Sequence, residues 1–326
     1  MKLLIDVFGS DCPEALIVGC ARCSLEVPEA TLVLPGREDV LRPALEALPH
    51  DPSRIELLPA ETVITNHDDP IQAVMKRRDS SLVTGIQRLR SDPEVGGMIT
   101  AGSTGAAFAA GVAFAGRLPG VRTPALATFL PSEKGRDICL ADCGANVDCK
   151  PDRLAGFALL GTALMQSYGV ERPRVGLLSV GVEEGKGSHF VQEAYGCLEQ
   201  LPIDFAGNME ARDALSGDYD VIVCEGFSGN VLLKTVEGAG LFAGSRLKRH
   251  TQPAVLEAAR ELTQELDFAR RGASMLLGLR KPLFKAHGSA TEDTVPNAVR
   301  QLLRFLEADY PAHLAALFAC RLYNDV

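Results

Sequence analysis

Short apolar runs rich in Val, Ile and Leu, each closed by Gly, Pro or a polar cluster, alternate along this chain with longer stretches whose apolar residues recur at helical spacing. The runs predict strands near Leu3–Val7, Thr31–Leu34, Ile55–Leu58, Gly97–Thr100, Ala125–Phe129, Ile138–Ala141, Val175–Val180, Ile203–Ala206 and Val221–Cys224. The periodic stretches predict helices over Pro13–Glu26, Glu38–Ala47, Pro70–Asp79, Ser81–Arg90, Thr104–Ala115, Arg153–Tyr168, His189–Gln200, Asn230–Arg249, Ala254–Arg271 and Pro296–Glu307. Strand and helix taking turns in this way is the pattern of βα units, which build a mostly parallel sheet. Within Ala254–Arg271, Val255, Ala259, Leu262 and Leu266 form an apolar stripe that is expected to pack on the chain itself or on a second subunit.

The strand ends carry a second regularity. Small and polar residues replace apolar ones just before the next helix, in DVFGSD from Asp6, TAGSTGA from Thr100, ADCGANVDCK from Ala141, SVGVEEGKGS from Ser179, GNMEARD from Gly207 and CEGFSGNV from Cys224. KAHGSATED from Lys285 has the same character. The carboxyl ends of parallel strands share one edge, so these loops are expected to converge on one crevice. Gly-rich turns there present backbone N–H groups, which favour an anion such as a phosphate-bearing ligand.

Composition narrows the class. The 326 residues, 46% hydrophobic, suffice for a large core, read here as one domain over 1–326 with a helical excursion about 232–271. A formal charge of −9 speaks against broad nucleic-acid binding, which needs a basic surface. The opening MKLLIDVFG has too short an apolar run for a signal segment, and no stretch approaches the ~20 apolar residues of a spanning helix, so a cytoplasmic protein is expected. Nine cysteines then read as free thiols, and Cys20-x-x-Cys23, alone inside a helix, reads as packing rather than zinc.

Familiar nucleotide and nucleophile signatures are missing. Gly181-x-x-x-Gly185-Lys186-Gly187-Ser188 has neither the spacing nor the Lys-Ser/Thr pair of a phosphate loop. No G-x-G-x-x-G follows a strand, and no G-x-S-x-G elbow occurs, so acyl chemistry here would take its nucleophile from a substrate.

Seven motifs in order resemble those of the bacterial phosphate acyltransferase (PlsX) family. They are Asp6-x-x-Gly9-x-Asp11, Ala101-Gly102-Ser103-Thr104-Gly105-Ala106, Asp142-x-Gly144-Ala145-Asn146-Val147-Asp148, Glu183-x-x-Lys186-Gly187, Gly207-Asn208-x-Glu210, Gly226-Phe227-x-Gly229-Asn230-Val231 and Lys285-Ala286-His287-Gly288-Ser289. Ser10 stands where the family has Gly, Ser103 where it has Asn, and Ala290-Thr291-Glu292-Asp293 replaces a Ser-led polar run. The resemblance implies a three-layer α/β/α sandwich like that of isocitrate and isopropylmalate dehydrogenases, a homodimer, and no metal or organic cofactor. It implies acyl transfer from acyl carrier protein thioester to inorganic phosphate for phospholipid synthesis, in the cytoplasm. It also implies weak peripheral membrane contact, although the middle of the excursion, Arg246 to Glu265, lacks an apolar tip.

Carried onto this chain, the chemistry falls to Lys186 for phosphate charge, His287 as acid or phosphate ligand, and Asn230 as amide donor. Gly9, Ser10, Gly102, Ser103, Thr104, Asn146, Asn208, Gly229 and Ser289 are expected around phosphate and substrate. Asp6, Asp11 and Asp142, which would repel phosphate, are expected to orient donors or cap helices. A surface Lys186 and a structural His287 remain the plain alternatives. Two other readings stay open: an acetyl phosphate-forming subunit of a glycine reductase-type complex, with Cys12 or Cys143 as acyl carrier, and a binding paralogue without turnover.

Overall fold

The computed structural model describes residues 1–268, 272–287 and 291–324. Through Arg117 the elements are β1 (Lys2–Asp6), α1 (Pro13–Glu26), β2 (Thr31–Gly36), α2 (Glu38–Glu46), β3 (Ile55–Pro59), α3 (Pro70–Lys76), α4 (Ser81–Ser91), β4 (Val95–Thr100) and α5 (Thr104–Ala110), which runs on into a π turn, Gly111–Ala115. Next come β5 (Ala125–Leu130), β6 (Ile138–Ala141), α6 (Asp152–Ser167), β7 (Arg174–Ser179), α7 (His189–Glu199), β8 (Asp204–Glu210), β9 (Val221–Val223), α8 (Gly226–Leu247) and α9 (Pro253–Glu265). β10 (Ala273–Leu277), β11 (Leu283–Ala286), α10 (Thr294–Glu307) and α11 (Tyr310–Asn324) follow.

The chain divides into two compact units, Met1–Arg117 with Phe268–Glu307, and Leu118–Asp267 with the segment from Ala308 onward. In the first unit the strands lie in the order β3-β2-β1-β4-β11-β10, parallel except for β10, which runs against β11. In the second the order is β5-β6-β9-β7-β8, parallel except for β5 against β6. Each unit therefore presents the carboxyl ends of its parallel strands along one edge.

Burial explains why the strands read as continuous apolar runs. Leu3, Leu4 and Ile5 of β1 are all buried, although successive side chains point to opposite faces, so both faces are covered. On β4 the covering is visible directly. A Cβ at Gly97 would meet Leu302 of α10 at 2.8 Å, while Met98 beside it lies against Gly85 of α4. Helix starts follow capping chemistry: Asp69 accepts the Gln72 N–H at 2.8 Å before α3, and Ser80 and Ser188 accept one each before α4 and α7.

Each predicted strand is present, with ends shifted by a few residues at most. Of the elements named above, β10, β11 and α11 lie outside the expectation, and the helix expected over Ala254–Arg271 ends at Glu265, the last three residues of that expectation lying outside the described ones. Helix α8 also begins at Gly226 and not at Asn230, because Glu225 caps it by accepting the Ser228 N–H at 3.0 Å. The predicted loop Gly226–Gly229 is thus the first turn of a helix. The stripe on α9 packs inward through Ala259, which is fully buried, against α8. No helix among the described residues is long and apolar enough to cross a membrane.

Candidate active site

In the first unit the edge is built from the ends of β1, β4 and β11. Asp6 closes β1, is buried, and is the register partner of Thr100 at the end of β4. Thr100 donates its hydroxyl to Asp6 Oδ2 at 2.8 Å and accepts the Gly102 N–H at 3.1 Å. The Phe8 N–H reaches Asp6 Oδ1 at 3.3 Å. One carboxylate thereby fixes the turn after β1 and the turn after β4. Burial pushes the Asp6 carboxyl up to about 6, against the opposing pull of hydrogen bonds from Thr100, Ser81 and Phe8 and of the Lys285 charge.

The two turns touch. Gly9 has φ 78, the left-handed region, and a Cβ there would sit 2.8 Å from the Ile64 carbonyl oxygen and 3.1 Å from Gly102 Cα. Ser10 donates to the Val7 carbonyl at 2.9 Å, Ser103 accepts the Ala106 N–H at 3.5 Å, and Thr104 opens α5. Asp6, Gly9, Ser10, Gly102, Ser103 and Thr104 accordingly stand together on this edge.

In the second unit, Asp142 follows β6 and is fully buried. Its Oδ1 accepts the N–H groups of Gly144 at 2.7 Å and Ala145 at 2.8 Å; its Oδ2 accepts the Asn146 N–H at 3.0 Å and the Asn146 amide. Both oxygens act as acceptors, the pattern of an ionised carboxylate, although burial alone pushes its proton affinity up. The second hydrogen of the Asn146 amide goes to the Pro124 carbonyl at 2.9 Å. Asp142 and Asn146 are therefore occupied in shaping the loop, and neither has a donor to spare for a ligand.

Helix α8 closes onto this loop. Gly226 donates to the Asn146 carbonyl at 2.8 Å, and a Cβ at Gly229 would fall 1.9 Å from the Asp142 carbonyl oxygen, so only glycine admits the approach. Asn230, one residue on, is exposed, lies beside Gly144, and has no amide partner among the described residues.

The ends of β7 and β8 carry the Lys186 turn. Asn208 on β8 is buried and donates its amide to the Glu183 carbonyl at 2.7 Å, the same oxygen that accepts the Lys186 N–H at 3.0 Å. Asn208 holds the turn, and its Oδ1 is buried without a partner. The Lys186 side chain is exposed and forms no ion pair among the described residues, despite Glu183 and Glu184 nearby in sequence.

His287 leaves β11 half-buried, and Ser289 lies outside the described residues. The strand's Lys285 received no role from sequence, yet its side chain is buried at the row of strand ends that holds Asp6. A lone cation inside the apolar run Leu283–Ala286 was the available signal. Thr100 and the cap Glu225 were likewise not singled out. Among the thiols, Cys143 is buried and Cys12 exposed; burial first, then Asp142, Glu225 and Asp148, push the Cys149 thiol up to about 11, which disfavours the thiolate. No group of three His, Cys, Asp or Glu among the described residues is placed to hold a metal ion.

The fold has counterparts among known proteins. Among solved structures, a phosphotransacetylase from Streptococcus pyogenes matches with TM-score 0.61 at 16% identity, covering 94% of each chain. EutD phosphotransacetylase from Staphylococcus aureus matches with TM-score 0.59 at 19% identity, covering 95% of this chain and 94% of that one. These likenesses are of fold. In sequence, a protein named phosphate acyltransferase from Brevibacillus brevis is 39% identical over 321 residues, 95% of each chain. One of the same name from Bacillus cereus is 37% identical over 312 residues, 92% of this chain and 93% of that one. The model of a family described as fatty acid synthesis protein matches residues 1–313, and the chain belongs to that family.

Proposed function

We propose that this chain moves an acyl group from a thioester on acyl carrier protein to inorganic phosphate, yielding acyl phosphate and a free thiol for phospholipid synthesis. The observation that supports the reading most strongly is near end-to-end identity of 39% with a protein named phosphate acyltransferase. In the reaction a phosphate oxygen attacks the thioester carbonyl carbon, a C–O bond forms, and the tetrahedral oxyanion collapses as the C–S bond breaks. The departing thiolate takes a proton. Lys186, exposed and in no ion pair among the described residues, supplies charge to phosphate; His287 supplies the proton; Asn230 donates an amide hydrogen. Asp6, Asp142, Asn146 and Asn208 act on these groups through the turns they hold.

The assembly is proposed to be a homodimer. Phe227, Val231, Leu241 and Phe242 on α8 are 61%, 49%, 57% and 69% exposed, an apolar face that a second copy would cover.

The test is incubation of the purified chain with acyl carrier protein thioester and phosphate, trapping product with hydroxylamine and counting released thiol. Phosphate-dependent acyl hydroxamate, one per thiol, is expected. Activity confined to an acetyl thioester would favour the glycine reductase-type reading. Inactivity with every thioester tried would favour a binding paralogue.

A further inference from the structure

Lys285 is 9% exposed, in a strand whose other residues, Leu283, Phe284 and Ala286, are apolar and buried. An ammonium is costly to bury, and an apolar residue would serve packing at that position better, so the charge needs a reason. Its surroundings supply one. Lys285 and Asp6 are both register partners of Thr100, one from β11 and the other from β1, so the three residues form a row across adjacent parallel strands, where partners project to the same face. The Lys285 Nζ donates to the Ala101 carbonyl at 3.4 Å and to the Ala286 carbonyl. The first belongs to the turn after β4, the second to the exit of β11 just before His287. One cation therefore clamps two exits and lies in the row of the carboxylate that fixes the same turns.

We propose that Lys285 is a positioning residue for acyl transfer, holding the Ala101–Ser103 turn and the Ala286–His287 exit in register while serving as counter-charge to buried Asp6. The inference rests on the phosphate acyltransferase reading. It assigns Lys285 no contact with substrate. Its effect passes through the two exits, so its loss should move turnover more than substrate affinity.

The experiment compares Lys285→Met with the parent in two measurements. In the acyl transfer assay, kcat should fall roughly ten- to a hundred-fold with little change in the phosphate KM. In hydrogen exchange, the amides of Gly102 to Thr104 should exchange at least about tenfold faster, while the Gly144 to Asn146 amides of the second unit keep their protection. Should Lys285→Met fold poorly, the double variant Asp6→Asn/Lys285→Met, with no buried charge left in the row, should fold and show the same two effects relative to Asp6→Asn alone. Exchange and kcat within about twofold of the parent in a folded variant would overturn the proposal. A parent without turnover sinks the acyltransferase reading instead, and the exchange measurement then decides for or against the clamp by itself.

Discussion

The carboxylates and the cations have separate work in the proposed chemistry, and single substitutions distinguish them. Asp142 spends both oxygens on its own loop, whereas Lys186 is exposed and forms no ion pair among the described residues. Lys186→Ala should therefore weaken phosphate use, a charge-assisted contact of roughly 1.5–3 kcal/mol or about ten- to a hundred-fold, read as a raised phosphate KM. His287→Ala, removing the proposed proton donor, should slow kcat by on the order of 10² to 10⁴, nearer the lower end because thiolates leave readily, and should flatten the pH profile near neutrality. If both variants retain parental kinetics, these residue roles are wrong. Asp6 makes a prediction about stability. Its folded carboxyl titrates near 6, above its ordinary 3.8, so its contribution is fully present below 3.8 and lost as pH rises through about 6. The gap amounts to about 3 kcal/mol at most. Relative to the parent, Asp6→Asn should gain up to that amount between pH 4 and pH 7.5 in urea unfolding, whatever its offset at either pH. Parallel stability curves would show that Asp6 titrates as an ordinary carboxylate. The residues were legible as motifs, but their division of labour was not. Asn146 looked like a ligand donor because nothing in sequence reveals that Pro124 and Asp142 already accept its amide hydrogens.

Elements read well where period and punctuation agreed. β6 was expected over Ile138–Ala141 and α1 over Pro13–Glu26, and both are found with those ends. β11 was missed because Lys285 interrupts a run of four residues, and β10 because it ends against Gly278 after five. The last expected helix ended at Glu307, as α10 does, and α11, which begins after Asp309 with φ 48, was not read at all. The start of α8 was misplaced because two glycines in four residues normally signal a loop. Here the second is demanded by contact. Gly229→Ala would place a methyl 1.9 Å from the Asp142 carbonyl oxygen, and backbone cannot yield as a flexible side chain would. The substitution should cost about 1–3 kcal/mol and lower turnover by displacing Asn230 from the Gly144 loop. A denaturant midpoint and a rate equal to the parent's would show that α8 can slide instead.

For the whole molecule, the mostly parallel α/β architecture followed from alternation alone, and each of the two compact units draws residues from beyond its main segment. The proposed dimer is tested at this scale. Leu241→Glu with Phe242→Glu should convert a dimer to monomers in sedimentation, with the circular dichroism of the fold unchanged; a parent already monomeric would dismiss the assembly. The interleaved units have a consequence during synthesis. A ribosome releases β1 to β4 early, yet the far side of β4 waits for β11, some 180 residues later. Likewise α6 waits for α11, its packing neighbour, after the first unit's last helix has already emerged. Neither unit can close on the nascent chain until this late stretch appears, so an exposed strand edge, a template for wrong pairing, persists through much of translation.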